Sequence, residues 1–154
     1  MSIEDTEELQ AAHRHFASYC FNQTWSYIKK PARSEEDDLA MLNHAIASLW
    51  HWSQRADREP ENLAVGYWQV SYVFSLLGSA DLARRYAVMC KDVSEKLAPF
   101  YMGEAYQALA SAEKAAGNRI KMQVYLKKAE KVFVTLTDEE EKEALRRDLD
   151  ALIK

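Results

Sequence analysis

Apolar residues recur along this chain at intervals of three and four positions rather than in strict alternation. That period is typical of α-helices that pack one face on a core. Prolines, glycines and capping residues divide the chain into seven predicted helices, at about 4–28, 34–56, 60–78, 80–97, 99–117, 119–136 and 138–153. The pattern predicts an all-α fold in a single domain, 1–154.

Two helix starts carry capping signals. Ser34 is followed by the acidic run 35–38, and carboxylates in a first turn favour the positive end of the helix dipole. We interpret this run as a helix start and not as a metal site. Thr137 followed by Glu140 predicts a capping box for the last helix. That helix is charged except for one apolar stripe, which predicts a C-terminal capping helix that packs by a single face. The stripe consists of Leu145, Leu149 and Leu152.

The second helix has a predicted core face and a predicted opposite face. The core face consists of Leu39, Leu42, Ile46, Leu49 and Trp50. His44, His51 and Arg55 fall on the opposite face and are secondary candidates for a site. His44 and His51 are two turns apart, about 10 Å along the axis, which is too far for one metal ion to bind both without further ligands.

The third helix is apolar around its whole circumference. Leu63 and Tyr67 lie on one side, and Val65, Trp68 and Tyr72 lie on the other. A helix of this kind is either buried on both faces or lines a groove. Both interpretations of Trp68 and Tyr72 stay open at the level of the sequence.

The middle of the chain contains a repeat of 39 positions, because this interval separates both Tyr67 from Tyr106 and Gly78 from Gly117. A period between about 20 and 50 residues indicates a stacked array of identical structural units. The same shift carries three apolar positions onto three polar ones: Val65, Trp68 and Tyr72 onto Glu104, Gln107 and Ser111. One face of the array should therefore be aromatic in one unit and polar in the next.

This unit resembles the tetratricopeptide repeat, whose first helix carries Trp-x2-Leu-Gly-x2-Tyr and whose second carries Ala-x3-Phe. The corresponding motifs here are Tyr67-x2-Val70-Ser71-x2-Phe74, Tyr106-x2-Leu109-Ala110-x2-Glu113, Ala83-x3-Ala87 and Met122-x3-Leu126. The period exceeds the family's 34 by five residues, and Glu113 replaces an expected aromatic residue. The stretch 62–78 is also similar to a group of uncharacterised bacterial proteins of this type.

The resemblance implies antiparallel helix pairs stacked as a right-handed array, with the first helix of each pair lining a concave groove. The groove residues it implies are Val65, Trp68, Tyr72, Glu104, Gln107 and Ser111. Trp and Tyr offer large rigid surfaces with polar tips, which suit binding hot spots. We therefore expect a non-catalytic module that binds a protein or a peptide, with no cofactor.

Composition excludes several other classes of function. The net charge of −4 disfavours nucleic-acid binding, and no apolar run approaches the roughly 18 residues of a membrane span. The N-terminus lacks the pattern of a secretory signal, so we expect a cytoplasmic protein. Cys20 and Cys90 belong to no CxxC motif, and we interpret both as reduced, buried thiols.

Two alternatives remain open. His44 followed by an aromatic stretch resembles the DinB-like helical bundles, metal-dependent enzymes in which three histidines hold the metal; such an enzyme would use His44 and His51. A purely structural homo-oligomer, in which the protein's own first helix covers the Trp68 face, is the other alternative.

Overall fold

The computed structural model describes residues 6–153, and within that range the secondary structure consists of helices with no strand. The helices are α1 Glu7–Ile28, α2 Glu35–Gln54, α3 Pro60–Leu76, α4 Ala80–Ser94, α5 Pro99–Ala115, α6 Arg119–Phe133 and α7 Glu139–Ile153. The all-α prediction is confirmed. The predicted start of the first helix near residue 4 lies outside the described residues. None of the seven helices is both long and apolar enough to cross a bilayer.

Neighbouring helices pack in pairs. α1 packs on α2, α3 on α4, and α5 on α6, while the second helix of each pair also contacts the first helix of the next pair. In addition, α3 packs on α5, and α5 packs on α7. This confirms the predicted helical array. The first helices α3 and α5 therefore form a layer that α7 extends beyond α5, and α1 joins this layer through side chains, with the Gln69 amide of α3 donating to the Phe21 carbonyl at 3.2 Å.

The 39-residue repeat also holds for the backbone. α5 begins and ends 39 positions after α3, and α6 begins and ends 39 positions after α4. Gly78 and Gly117 end the turns with φ of 78° and 74°, a left-handed conformation that favours glycine. In both turns the amide after the glycine donates to a helix carbonyl at 2.9 Å, that of Phe74 or of Glu113. The repeat is thus one helix-turn-helix unit used twice.

The predicted core face of α2 is wrong in part. Leu39, Ile46 and Trp50 are exposed, with 57% of Trp50 accessible to solvent. Leu42 and Leu49 pack against the core from its edge. The buried residues of the helix are Met41, Ala45 and Ser48.

Close packing of α1 on α2 explains this difference. The Ser48 hydroxyl donates to the Ala17 carbonyl of α1 at 2.8 Å, and Ala45 is completely enclosed nearby. Small side chains let the two helices approach, so the face that carries them turns inward. A prediction of the core face from side-chain size alone selects the opposite side of α2, because it assigns the largest apolar residues to the core.

Helix caps agree with prediction at α2 and differ at α7. Ser34 and Asp37 form a reciprocal capping box, which confirms the acidic run as a helix start. At α7 the side chain of Asp138, not that of Thr137, accepts a hydrogen bond from the amide of Glu141 at 2.9 Å. The helix therefore begins one residue later than a Thr137 cap would place it. Its predicted apolar stripe, Leu145, Leu149 and Leu152, is buried.

Glu113, which departs from the tetratricopeptide pattern, is a buried partner of α4. Its two carboxylate oxygens accept hydrogen bonds from Arg84 at 2.7 and 3.0 Å, and only 4% of Glu113 is exposed. The guanidinium holds the pKa of this carboxyl below its usual value. A paired charge therefore joins α4 to α5 where the family has an aromatic contact.

We expect Arg84→Ala to lower the free energy of unfolding by about 1–3 kcal/mol, because it leaves the buried Glu113 carboxylate without its donor. Arg85→Ala is the matched control, since Arg85 is the exposed neighbour on the same helix. Urea denaturation at neutral pH measures both changes. Equal midpoints for the two variants would contradict a stabilising role for the ion pair.

Candidate functional site

A concave cavity of about 640 Å³ opens on the layer of first helices. Its lining comes from α1, α3, α5 and α7, with Cys90 of α4 between them. The lining is mostly apolar and the volume lies in the range of ligand pockets. Five of the six predicted groove residues line this cavity: Val65, Trp68, Tyr72, Glu104 and Gln107. Ser111 is buried on α5 and does not belong to the lining.

Three stacked rings form an aromatic stack on the α1 and α3 side of the cavity. The centroids of Trp25 and Trp68 are 5.7 Å apart, and those of Trp68 and Tyr72 are 5.3 Å apart. Only 6% of Trp68 is exposed, whereas Trp25 and Tyr72 are half-buried. Trp68 is therefore mainly a core residue, and its two neighbours present more of the stack's surface to the cavity.

The Gln107 side chain connects three helices. Its carbonyl oxygen accepts a hydrogen bond from the Trp68 indole at 2.8 Å, and its amide donates to the backbone oxygen of Asp148 at 3.1 Å. Gln107 has no exposed surface, so both polar ends of its side chain are used inside the protein. Although predicted as a groove residue, Gln107 positions α3, α5 and α7 and leaves little for a ligand.

Glu104 and Asp148, which we call the acid pair, bring two carboxyl groups together between α5 and α7. Glu104 is 8% exposed, and neither of its oxygens has a hydrogen-bond partner among residues 6–153. Burial raises the pKa of Glu104 well above its usual value, and the charge of Asp148 raises it further. Burial also raises the pKa of Asp148. Two ionised carboxylates cannot donate to each other, so a proton on Glu104 would supply the missing hydrogen bond.

Cys90 contributes packing to the cavity rather than a thiolate. Burial raises the pKa of its thiol to about 12, and the thiol donates to the Ala64 carbonyl at 3.4 Å. A thiol with that pKa stays protonated at neutral pH. Cys20 and Cys90 are both free and buried, as predicted.

The secondary candidates His44 and His51 face α1, not the open side of α2 that was predicted. Nδ1 of His44 lies 2.7 Å from the Ala40 carbonyl oxygen, and its ring packs 5.8 Å from the Tyr27 ring. Nδ1 of His51 lies 2.9 Å from Nδ1 of His13. The shifted phase of α2 accounts for both positions. The two histidines therefore contact different residues and do not share a site.

Arg55 lies at the end of α2, outside the concave cavity. Its guanidinium stacks 4.0 Å from the Trp52 ring centroid and donates two hydrogen bonds to Asp57 at 2.8 and 2.9 Å. This contact lowers the pKa of Asp57 to about 2. Arg55 thus orders the turn between α2 and α3.

Residues 6–153 contain no group of three or more His, Cys, Asp or Glu side chains arranged to hold a metal ion. The DinB-like enzyme and the structural homo-oligomer stay predictions.

The contribution of α7 to the cavity was not predicted from the sequence, and α1 was expected beside Trp68 only in the structural homo-oligomer alternative. α7 begins 40 positions after α5, because the connection before it is one residue longer than the one before α5. With that offset, four positions of α5 map onto the four residues of α7 that line the cavity: Glu104, Gln107, Ala108 and Ser111 onto Ala144, Arg147, Asp148 and Ala151. The paired residues differ in chemistry, so this equivalence is visible in the structure and not in the sequence.

No family model, curated protein or solved structure matches this chain. The tetratricopeptide resemblance and the similarity to uncharacterised bacterial proteins stay predictions. The pairing of the helices and their 39-residue repeat are properties of the structure itself.

Proposed function

We propose that this protein is a non-catalytic interaction module whose concave cavity binds an extended peptide segment of a partner protein. The cavity of about 640 Å³ on the layer of first helices is the observation that carries the proposal. Stacked helix pairs commonly use such concave surfaces for binding. Its mainly apolar lining suits the side chains of a peptide, and the acid pair at one side adds polarity that orients the ligand.

Exposed surface within the cavity supports the same proposal. Val65 is 38% exposed on α3, and the half-buried rings of Trp25 and Tyr72 line the same cavity. Aromatic side chains of this kind dominate binding energy in many interfaces, because they offer a large contact area with little conformational freedom to lose. Helices supply the whole surface, so side-chain contacts rather than strand pairing would hold the peptide.

Selection from a random peptide library on the purified protein tests the proposal, with Val65→Tyr as the variant that fills the cavity. Selected peptides should bind Val65→Tyr at least about tenfold more weakly than the parent protein. The matched control is Val88→Tyr, because Val88 is 46% exposed on α4 and lies outside the cavity. Fluorescence polarisation of labelled peptides measures all three affinities.

Tryptophan fluorescence shows where a peptide binds. In a background with Trp50→Phe and Trp52→Phe, the remaining tryptophans, Trp25 and Trp68, both line the cavity. Peptide binding should change their emission. Peptides that bind equally to both tyrosine variants and leave this emission unchanged would rule out the cavity as the binding site.

A further inference from the structure

The acid pair places two buried carboxyl groups beside an aromatic wall. Glu104 is 8% exposed and enclosed between two helices, and as an ionised group it has no hydrogen-bond donor among the described residues. Burying an unpaired carboxyl group is unfavourable for folding. Local violations of this kind concentrate at functional sites, where a ligand supplies the missing interaction.

Asp148 is the member of the acid pair that a ligand can reach. Its side chain is 11% exposed, and its Oδ1 accepts a hydrogen bond from Nε of Arg147 at 3.2 Å. The Arg147 side chain is itself 68% exposed at the rim of the cavity. While Glu104 is ionised it donates nothing to Asp148, so Oδ2 of Asp148 can accept from a ligand, and Glu104 adds a second carboxyl group beside it.

Building on the proposed function, we infer that the cavity takes a lysine side chain of the bound peptide, whose ammonium group donates to Oδ2 of Asp148 in front of Glu104. An ammonium group is a compact charge that one acceptor oxygen can satisfy on one side. A guanidinium group binds most strongly when it donates to both oxygens of one carboxylate, as Arg84 does to Glu113. Arg147 already uses Oδ1, so the site favours lysine over arginine.

The walls of the cavity suit the rest of a lysine side chain. Rings from three helices line it: Trp25 of α1, Tyr72 of α3, and Phe100 and Tyr101 of α5. Aromatic rings pack against the methylene groups of lysine and attract its ammonium group. The lining also contains two cationic side chains, Lys29 and Arg147, so the choice of lysine rests on the Asp148 acceptor and the aromatic walls rather than on net charge.

The library peptides that require an open cavity provide the probe. Each lysine in them is replaced in turn by norleucine, which keeps the chain length and removes the charge. One replacement should weaken binding to the parent protein by about tenfold or more. The same replacement should change binding to Asp148→Asn by less than about twofold, because the acceptor charge is gone. With Glu104→Gln, the norleucine replacement should weaken binding by a factor between those for the parent protein and for Asp148→Asn. Glu143→Gln, at an exposed carboxylate on α7 outside the cavity, should behave like the parent protein.

The results separate this inference from the proposed function. Peptides that bind through the cavity but tolerate norleucine at every lysine would overturn the lysine assignment and leave the peptide-binding function in place. A library that yields no peptide sensitive to Val65→Tyr would overturn the function itself. A lysine preference that persists in both Asp148→Asn and Glu104→Gln would show that the acid pair is not the receptor.

Two further probes test the choice of ligand. Replacing the critical lysine by arginine should weaken binding by about tenfold, and equal binding would reassign the site to cations in general. Free 1,5-diaminopentane, which carries the lysine ammonium without a peptide, should displace the peptide only at far higher concentration. Displacement at equal concentration would mean that the ligand is a free amine and would overturn the peptide lysine.

Discussion

Trp68→Ala should lower the free energy of unfolding by about 3–5 kcal/mol, the range expected for truncating a buried aromatic side chain. The variant loses ring contacts with Trp25 and Tyr72, at 5.7 and 5.3 Å between centroids. It also removes the indole donor from the completely buried amide oxygen of Gln107. Urea denaturation followed by circular dichroism measures the change.

Trp50→Ala is the matched control for Trp68→Ala. Trp50 is 57% exposed on α2, so its truncation should change the free energy of unfolding by no more than about 0.5 kcal/mol. Trp68→Phe separates packing from hydrogen bonding, because it keeps a ring and removes only the N–H donor. Equal destabilisation by the two alanine variants would mean that Trp68 is not part of the core.

The two tryptophans show why the sequence predicted the fold better than the packing. Helix starts, turns and the repeat depend on local signals, such as Ser34 at a cap and Gly78 and Gly117 at left-handed turns. The inward face of α2 instead depends on how closely α1 approaches. Ser48 and Ala45 permit that approach, and no apolar period within α2 contains this information.

The residues of the candidate site were also predicted only in part. A shift of 39 residues identified the cavity residues of α3 and α5, because those helices are exact copies in length and spacing. Asp148 was missed, since one extra residue before α7 hides the next copy. Glu104 was predicted as a groove residue, but its lack of partners depends on side chains distant in sequence. Its chemistry could be recognised only in three dimensions.

Glu104→Gln should stabilise the protein at neutral pH, by about 1–3 kcal/mol. The carboxyl group is buried, and its oxygens have no hydrogen-bond partner in residues 6–153. A glutamine at this position keeps the shape, carries no charge and can donate to the carboxylate of Asp148. A stabilising substitution inside the cavity that weakens lysine binding would be the trade-off expected at a functional site.

The pH dependence of that stabilisation follows from the raised pKa of Glu104 in the folded protein. The groups that face it are Asp148 and Arg147 on α7, Cys90 on α4 and, beyond Asp148, Tyr72 on α3. Because the folded state binds the proton more tightly than the unfolded state, stability falls as pH rises from the unfolded value of 4.5 through the folded pKa.

Thermal unfolding of the parent protein and of Glu104→Gln between pH 4.5 and 8 measures this effect. The melting temperatures should be close near pH 4.5, where Glu104 is protonated in the folded state and about half protonated in the unfolded state, and should diverge in favour of the variant as pH rises. Glu143→Gln, at an exposed site on the same end of the fold, should give a difference that does not grow with pH. A Glu104→Gln difference that shrinks toward alkaline pH would mean that Glu104 is stabilised as a carboxylate. The acid pair would then be an ordinary ionised contact rather than a buried carboxyl group that lacks a hydrogen-bond donor.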